Sequence, residues 1–430
     1  MNDRQHKPVQ GLLPASPDRL LRRFLRYVKI DTTARADARS YPSSRGQLRL
    51  GRLLLEELRA LGIADARQNQ FGIVLATVPP TVPQSTPTIA FCAHLDTSPE
   101  TSGKGVKPQL IRNYRGGDLP LVGDPARVIR VAENPELDGL VGRTLVTTDG
   151  TTLLGADDKA GVAVILETAA WLMEHPEIAH GPVRICFTCD EEIGRGVDHL
   201  DPREIDATVC YTLDGQGTDL IDVETFSADK ATVAIRGVNI HPSIAKGRMT
   251  NAIRVAADFL SRLPRDRLAP EATDERDGFL HPYELSGGVG EVKLRILLRD
   301  FAVEGLAAET QFLRDAVRAT AQQFPEAAIS LEVEPQYRNM AEGLTREPRA
   351  VAYAQQALAR LGRTARLTIV RGGTDGSRLT AAGLPTPNLS CGAYTPHSPL
   401  EWACLEQMAE SVLWLVALAE TWAHPQSPSA

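Results

Sequence analysis

The chain has 430 residues, of which 43% are hydrophobic and 23% are charged, and its formal net charge is −7. These proportions are typical of a folded globular protein and exclude a disordered or fibrous chain. A chain this long exceeds what one hydrophobic core usually organises, so two domains are expected. No cluster of Lys and Arg is dense enough to neutralise a run of phosphates, so nucleic acid is not an expected partner.

Targeting and redox signals are absent from the sequence. No apolar run approaches the roughly 20 residues that a membrane helix needs, and the first residues lack the apolar stretch of a secretory signal. We therefore expect a cytoplasmic protein without a membrane partner. The six cysteines lie mostly in apolar, strand-like runs, which predicts buried, reduced thiols. Cys186 and Cys189 form a C-x-x-C pair, but strand alternation points them to opposite faces, so no redox or zinc role is expected.

Helix-like and strand-like segments alternate along the first 213 residues. They are predicted helices over 17–28 and 47–61, strands over 72–78 and 88–92, a helix over 159–174, and strands over 183–188 and 207–213. Residues 97–149 are instead rich in Gly, Pro and charge, and a loop this long is usually functional, so it is expected to wall an active site. Strands that alternate with helices predict a largely parallel α/β sheet.

The pattern changes between residues 223 and 337. The predicted order there is strand 230–236, helix 251–263, strand 290–300, helix 303–324 and strand 329–333. The α/β alternation then returns, with a helix over 348–361, strands over 365–370 and 386–390, and a helix over 405–422. The sequence thus predicts a discontinuous α/β domain, residues 1–222 and 338–430, that is interrupted by a smaller α+β domain, residues 223–337.

Most of the notable acidic residues and histidines stand at the carboxyl ends of predicted strands. They are His94, Asp96, Asp190, Glu191, Glu192, Asp214 and His397. Ligands of open α/β sheets bind at this edge. The sequence therefore predicts a ligand or catalytic site there.

Two short acidic motifs are ambiguous when taken alone. His94 and Asp96 form an H-x-D pair, which in extended chain places a histidine ligand and an aspartate that orients its ring on one face. By itself the pair is more typical of an ordinary histidine beside a loop acid. Asp157 and Asp158 stand where a loop enters a helix, and capping of that helix is an equally good explanation for one of them.

The run Asp190-Glu191-Glu192 is more specific. Three adjacent carboxylates after an apolar strand repel one another unless cations hold them, although a surface turn is also compatible. Neighbouring acids in a loop point in different directions, so one can bind metal while the next reaches water as a general base. This division of roles suits hydrolysis.

A pair of zinc ions about 3.5–4 Å apart needs a bridging carboxylate and roughly five ligands. The sequence supplies that number with His94, Asp157, Glu192, Asp214 and His397. Because most of these ligands are oxygens, manganese or cobalt is also compatible.

Longer motifs then place these residues in a family context. In chain order they are His94-Leu-Asp-Thr-Ser-Pro99, Asn113-Tyr-Arg-Gly-Gly-Asp118, Leu153-Leu-Gly-Ala-Asp-Asp-Lys-Ala-Gly161, Asp190-Glu-Glu192, Asn239-Ile-His-Pro242, Ala245-Lys-Gly247 and Arg371-Gly-Gly-Thr-Asp-Gly376. Together they resemble peptidase T, a family of dinuclear zinc aminopeptidases that act on tripeptides. The resemblance runs from about residue 17 to 422, and the second and last motifs are much more specific than H-x-D.

The resemblance implies a role for each residue of the site: Asp157 bridges two zinc ions, His94 and Asp214 complete separate metal sites, Glu192 and His397 ligate one metal each, Asp96 supports His94, and Glu191 is the catalytic base.

The resemblance also implies that the insert is a ferredoxin-like lid domain, through which the chain would form a homodimer. His241 would meet the tetrahedral intermediate, while Asn251 and Arg371 would bind the backbone or the C-terminal carboxylate of a short peptide. The structural alternatives are a turn residue before Pro242 for His241 and a surface or structural cation for Arg371.

Two segments depart from the expected family pattern, Asp214-Gly-Gln-Gly217 and His397-Ser-Pro-Leu-Glu401. A related N-acyl amino acid deacylase or carboxypeptidase would use a similar metal core, so the ligands alone do not choose among these activities. A non-catalytic peptide- or metal-binding protein on the same fold is a further alternative. The presence of Glu191 argues against it, because a binder has no need for a base. The sequence therefore favours a metallo-aminopeptidase that hydrolyses the N-terminal residue of short peptides.

Overall fold

The computed structural model describes residues 17–82 and 85–424. Its helices are α1 Pro17–Tyr27, α2 Arg45–Ala60, α3 Ala156–Glu174, α4 Pro202–Ile205, α5 Ala252–Ser261, α6 Val303–Gln323, α7 Ala341–Leu344, α8 Arg349–Arg360, α9 Asp375–Ala381 and α10 Leu405–Ala423. Its strands are β1 Arg67–Gln68, β2 Val74–Val78, β3 Ile89–His94, β4 Gln109–Ile111, β5 Leu119–Leu121, β6 Asp124–Ile129, β7 Leu145–Thr147, β8 Val183–Thr188, β9 Val209–Gln216, β10 Leu220–Thr225, β11 Ser227–Arg236, β12 Phe279–Gly287, β13 Glu291–Asp300, β14 Ala328–Tyr337, β15 Arg366–Val370, β16 Asn388–Tyr394 and β17 Trp402–Cys404.

The chain divides into two compact units. The first contains the described residues up to Val223, Glu342–Thr368 and the described residues from Thr374 on, and the second contains Glu224–Ala341 and Ile369–Gly373. The second unit therefore takes in residues 338–341 and 369–373, which the sequence assigned to the α/β domain. The short segment belongs there because the backbone N–H of Phe226 donates to the carbonyls of Val370 and Gly372, at 3.1 and 3.2 Å.

The first unit is built on a mixed sheet whose centre is parallel. The strand order is β1-β2-β8-β3-β9-β16-β17-β7-β4, with β10 paired to β16 and β15. Strands β8, β3, β9 and β16 run parallel, and the outer pairs are antiparallel. Every residue of β3 is buried, as expected for a strand that is covered on both faces. The predicted α/β fold is confirmed.

Two hydrophobic layers cover the central strands. Ile89, Phe91 and Ala93 of β3 pack in a core that includes α3 and α10, and the alternate residues Ala90 and Cys92 pack in a second core with α4 and α9. Helix α3 is buried along most of its length. No helix in the described part of the chain is both long and apolar enough to cross a membrane.

The segment 97–149 is more structured than the sequence predicts. It contains β4 to β7 and a 3-10 turn over Pro135–Leu140, and β7 joins the main sheet between β17 and β4. These strands are three to six residues long and most carry exposed positions, so their sequences show no extended apolar alternation.

The second unit is a four-stranded antiparallel sheet with the order β12-β13-β11-β14. Along the chain its elements follow as β11, α5, β12, β13, α6 and β14, which is the ferredoxin-like βαββαβ order. In β13, the alternate residues Val292, Leu294 and Ile296 are buried in a core with α5 and α6. Strand β12 was missed because six of its nine residues are exposed, including Pro282 and Glu284. The predicted α+β insert is confirmed.

Helix α6 carries a buried acid that should make stability depend on pH. Glu309 is 3% exposed, and burial together with the charge of Asp300 raises its pKa to about 9. Between the ordinary pKa of about 4.3 and that value, the folded chain retains a proton that the unfolded chain releases, so stability falls as pH rises. We expect Glu309→Gln to stabilise the protein at pH 8 by on the order of 1–3 kcal/mol and by much less at pH 5.

Thermal unfolding midpoints between pH 5 and pH 8 test this expectation. Glu304→Gln is the matched control, because Glu304 is an exposed acid in the first turn of the same helix. A gain from Glu309→Gln that does not vary with pH would contradict a buried, protonated carboxyl.

Candidate metal centre

Five of the predicted site residues meet at one edge of the first unit. His94 is the last residue of β3, Asp157 lies in the first turn of α3, Glu192 lies in a 3-10 turn after β8, Asp214 lies in β9, and His397 follows β16. The carboxyl ends of parallel strands lie at the same edge of a sheet, so these residues converge although up to 303 positions separate them in sequence.

The ligand atoms form two groups that share Asp157. His94 Nε2 lies 2.9 Å from Asp157 Oδ1 and 3.7 Å from Asp214 Oδ1. His397 Nε2 lies 3.3 Å from Asp157 Oδ2 and 2.8 Å from Glu192 Oε2. The two oxygens of Asp157 therefore face different histidines, as in a bridging carboxylate. His94 and Asp214 lie in the same group of atoms, whereas the resemblance implies that they complete separate metal sites.

The carboxylates and histidines of the group shift one another's pKa values. Burial and the charge of Asp157 raise the pKa of Asp214 to about 6 and that of Glu192 to about 8. Burial also opposes the charge of Asp157, but hydrogen bonds from His397 and His94 lower its pKa. Against its own burial, the neighbouring carboxylates raise the pKa of His397 to about 11. The group therefore concentrates negative charge around two histidine rings, a donor set that suits divalent cations.

One atom of the site also lacks a partner. Glu192 Oε1 is buried and has no hydrogen-bond donor among the described residues. Buried polar atoms are normally satisfied, so an orphaned carboxylate oxygen beside two histidines fits a position for a metal ion. Imidazole nitrogen and carboxylate oxygen are also the donors that zinc and related divalent metals accept.

Asp96 contacts both His94 and the turn that carries Glu191 and Glu192. Its carboxylate is fully buried, and Oδ1 lies 3.4 Å from His94 Nδ1. The same carboxylate accepts the backbone N–H groups of Glu191 and Glu192, each at 3.1 Å. His94 Nδ1 also lies 3.2 Å from the backbone carbonyl oxygen of Asp96. Asp96 therefore orients the ring of His94 through its carbonyl and its carboxylate, and the carboxylate also holds the turn that carries Glu191.

Asp190 and Glu192, two of the three acids in the 190–192 run, point in different directions. Asp190 has a left-handed φ of 62°, and its carboxylate accepts the backbone N–H of Ser43 at 2.7 Å and Gln47 Nε2 at 2.6 Å. Asp190 is therefore an anchor, whereas Glu192 reaches His397. Burial raises the pKa of Glu191 well above its ordinary value.

Asp158 lies beside the site but supports the backbone. Its carboxylate accepts the N–H groups of His94 and Gly161, at 3.1 and 3.2 Å. Burial raises its pKa well above the ordinary range. Although it lies near His94 and Asp214, both of its oxygens are used in these contacts.

Two buried charged residues that the sequence did not single out lie against the Asp157 loop. Lys159 is 1% exposed and donates to the carbonyl of Ile30 at 2.9 Å. Glu401 is also 1% exposed and accepts backbone N–H groups at the start of α3. The only sequence signal for Glu401 is its position four residues after His397.

The three predicted substrate-binding residues lie in the second unit. His241 Nδ1 is paired with Ser243 Oγ at 2.7 Å, and Asn251 caps α5 by accepting the N–H of Ile253 at 2.9 Å. Arg371 donates to the backbone carbonyls of Glu275 and Asp277 and contacts the rings of Phe226 and Phe279. Each residue thus has a local structural contact, and its substrate role stays a prediction.

Known proteins resemble the chain along nearly its whole length. Residues 147–421 match the profile of peptidase family M20/M25/M40. Peptidase T of Geobacillus thermodenitrificans is 42% identical over 404 residues, which cover 93% of this chain and 98% of the relative. Peptidase T of Bacillus subtilis is 40% identical over 403 residues, which cover 94% and 98%.

Solved structures have the same fold. The aminopeptidase PepT of Bacillus cereus superposes with a TM-score of 0.72 at 25% identity, over 95% of this chain and 99% of that one. A dinuclear metal binding peptidase of the M20 family from Bacillus subtilis superposes with a TM-score of 0.61 at 16% identity, over 94% and 97%, and supports the fold alone.

Proposed function

Because this chain belongs to the peptidase T family, within peptidase family M20/M25/M40, we propose that it is a metallo-aminopeptidase that hydrolyses the N-terminal residue from tripeptides and other short peptides. The observation that carries the proposal is Asp157, whose two oxygens face His94 and His397 at 2.9 and 3.3 Å. A shared carboxylate between two ligand groups supports a pair of metal ions and not one.

We assign His94, Asp157 and Asp214 to one metal position, and His397, Asp157 and Glu192 to the other. Two zinc ions fit these donors, with manganese or cobalt as substitutes. When bound, such ions polarise the scissile carbonyl and lower the pKa of water toward about 7.

The residues around the metal positions carry out the proton transfers. Glu191 accepts the proton of the attacking water and delivers it to the leaving amine. Asp96 keeps Glu191 in place by accepting its backbone N–H at 3.1 Å, and it orients His94.

We keep three finer expectations as proposals. His241, Asn251 and Arg371 bind the peptide, the chain forms a homodimer through the second unit, and the protein acts in the cytoplasm. The family supports a peptide substrate, and each of these expectations needs its own test.

The activity has a selectivity that separates it from its alternatives. An aminopeptidase recognises a free α-amino group, and a site that pairs a charged group rejects a substrate that lacks it. We expect kcat/KM for free tripeptides to exceed that for the N-acetylated forms by at least roughly 100-fold. The measurement is a kinetic comparison with added zinc, with mass spectrometry to identify the first residue released.

Matched peptides make the comparison decisive. The same tripeptide with an amidated C-terminus controls for loss of one terminal charge without loss of the amine. Equal rates on free and N-acetylated peptides would replace the aminopeptidase with an N-acyl amino acid deacylase or a carboxypeptidase.

A further inference from the structure

A buried carboxylate outside the ligand set joins two loops of the metal centre. Glu401 Oε2 accepts the backbone N–H groups of Leu154 and Gly155, at 2.8 and 2.7 Å. Its Oε1 accepts the backbone N–H of Asp157 at 2.9 Å. Three donors of the loop that leads into α3 therefore converge on one side chain from the segment that carries His397.

Within residues 17–82 and 85–424, these three donors have no other hydrogen-bond acceptor. The first N–H groups of a helix lack partners within the helix, and a capping side chain usually satisfies one of them. At α3 the capping position is Gly155, which has a left-handed φ of 80° and no side chain to serve as a cap. Glu401 therefore supplies the acceptors for the N–H groups of Leu154, Gly155 and Asp157, in the irregular stretch where Asp157 and Asp158 have non-helical φ/ψ values before the regular helix.

Hydrogen bonds also fix the backbone of the segment from His397 to Glu401. The N–H of Glu401 donates to the carbonyl of Ser398 at 3.1 Å, and the N–H of Leu400 donates to Ser398 Oγ at 3.1 Å. Thr101 Oγ1 donates to the carbonyl of His397 at 2.6 Å. The backbone from His397 to Glu401 is therefore a compact turn, and the position of the carboxylate is linked to that of the histidine.

Glu401 contacts the segments of two residues, Asp157 and His397, that belong to the same proposed metal position. His94 and Asp214 stand on β3 and β9, which pair directly in the sheet. Asp157 stands at the irregular start of α3 and His397 on the turn after β16, and their ligand atoms are 3.3 Å apart. Glu401 belongs to the segment of His397 and binds the segment of Asp157. It therefore fixes the distance between the ligand atoms of Asp157 and His397.

We propose that Glu401 is a positioning residue that preorganises the metal position formed by Asp157, Glu192 and His397. This inference rests on the proposed function, because it concerns the affinity of that centre for metal. Replacement of residues that orient metal ligands typically lowers affinity by roughly 10–100-fold. In Glu401→Gln an amide NH₂ replaces one acceptor, so at least one backbone donor loses its partner.

The experiment is a zinc titration of metal-free protein against a chromophoric chelator. In Glu401→Gln we expect one zinc to bind roughly 10–100-fold more weakly than in the unmodified protein, with a smaller change for the other. At limiting zinc, kcat should fall, and excess zinc should restore it with KM unchanged.

The matched control is Glu167→Gln, which removes a buried carboxylate from α3, the helix that follows the segment that Glu401 contacts. Glu167 is fully buried and is paired with Arg19 and Arg23, and Arg19 lies 2.8 Å from it. We expect this variant to lower the unfolding temperature without changing either zinc affinity. A metal-specific loss in Glu401→Gln alone distinguishes positioning from general stabilisation.

Different results would overturn the positioning role of Glu401 and the proposed two-metal function. If Glu401→Gln lowers the unfolding temperature but binds both zinc ions as tightly as the unmodified protein, the positioning role is overturned. If the unmodified protein binds fewer than two zinc ions, the proposed function itself fails. Should Glu401→Gln not fold, Glu401→Asp retains the charge on a shorter side chain, and unchanged zinc affinity in that variant overturns the inference.

Discussion

Glu191→Gln should lower kcat by roughly 10²–10⁴-fold while the protein keeps its metal, which is the loss expected when a general base is removed. The amide has nearly the size of the carboxylate but cannot accept a proton from water. The turn should keep its shape, because the backbone N–H of residue 191 is held by Asp96 at 3.1 Å and does not depend on the side chain. Steady-state kinetics and metal analysis of the same preparation measure both quantities.

Glu192→Gln is the matched control for this experiment. Glu192 Oε2 lies 2.8 Å from His397 Nε2, in the group of ligand atoms. Its replacement should first weaken metal binding, and excess zinc should recover part of the activity. Added zinc should not rescue Glu191→Gln. If Glu191→Gln instead lost metal and regained activity with zinc, the roles of the two glutamates would have to be exchanged.

The residues that meet at the candidate site were predicted from the sequence because local signals mark them. His94 and Asp214 follow predicted strands that end at one edge of the sheet, and Asp157 lies in a motif of the family. Their grouping was not predictable in the same way. His94 and Asp214 share a position because β9 pairs with β3, although β8 stands between them in chain order.

The role of Glu401 depends on contacts that sequence patterns do not record. Its partners are three backbone N–H groups that lie 244 to 247 positions earlier in the chain. A backbone donor is present at every residue except proline, so residue types give no sign of the pairing. Similarly, β12 was missed because an exposed edge strand lacks the apolar alternation that identifies half-buried strands.

Asp157→Asn should remove activity and weaken both metal positions, with the affinity of each lowered by more than roughly 100-fold, beyond the usual effect of losing a supporting residue. Asp157 is the one ligand in both groups, with Oδ1 near His94 and Oδ2 near His397. An amide offers one good oxygen donor in place of two and carries no negative charge. The unmodified protein should approach two ions per chain, and exhaustive chelation should abolish its activity.

Asp158→Asn is the control, because it changes the neighbouring acid in the same way. The pKa of Asp158 is raised by burial, and its oxygens accept N–H groups of His94 and Gly161. We expect this variant to retain both metal ions and to lose at most stability. Metal content after gel filtration and activity at saturating zinc measure the two variants side by side. Two tightly bound ions in Asp157→Asn would contradict the bridging role, since a carboxylate that can be neutralised without loss of metal does not join the two positions.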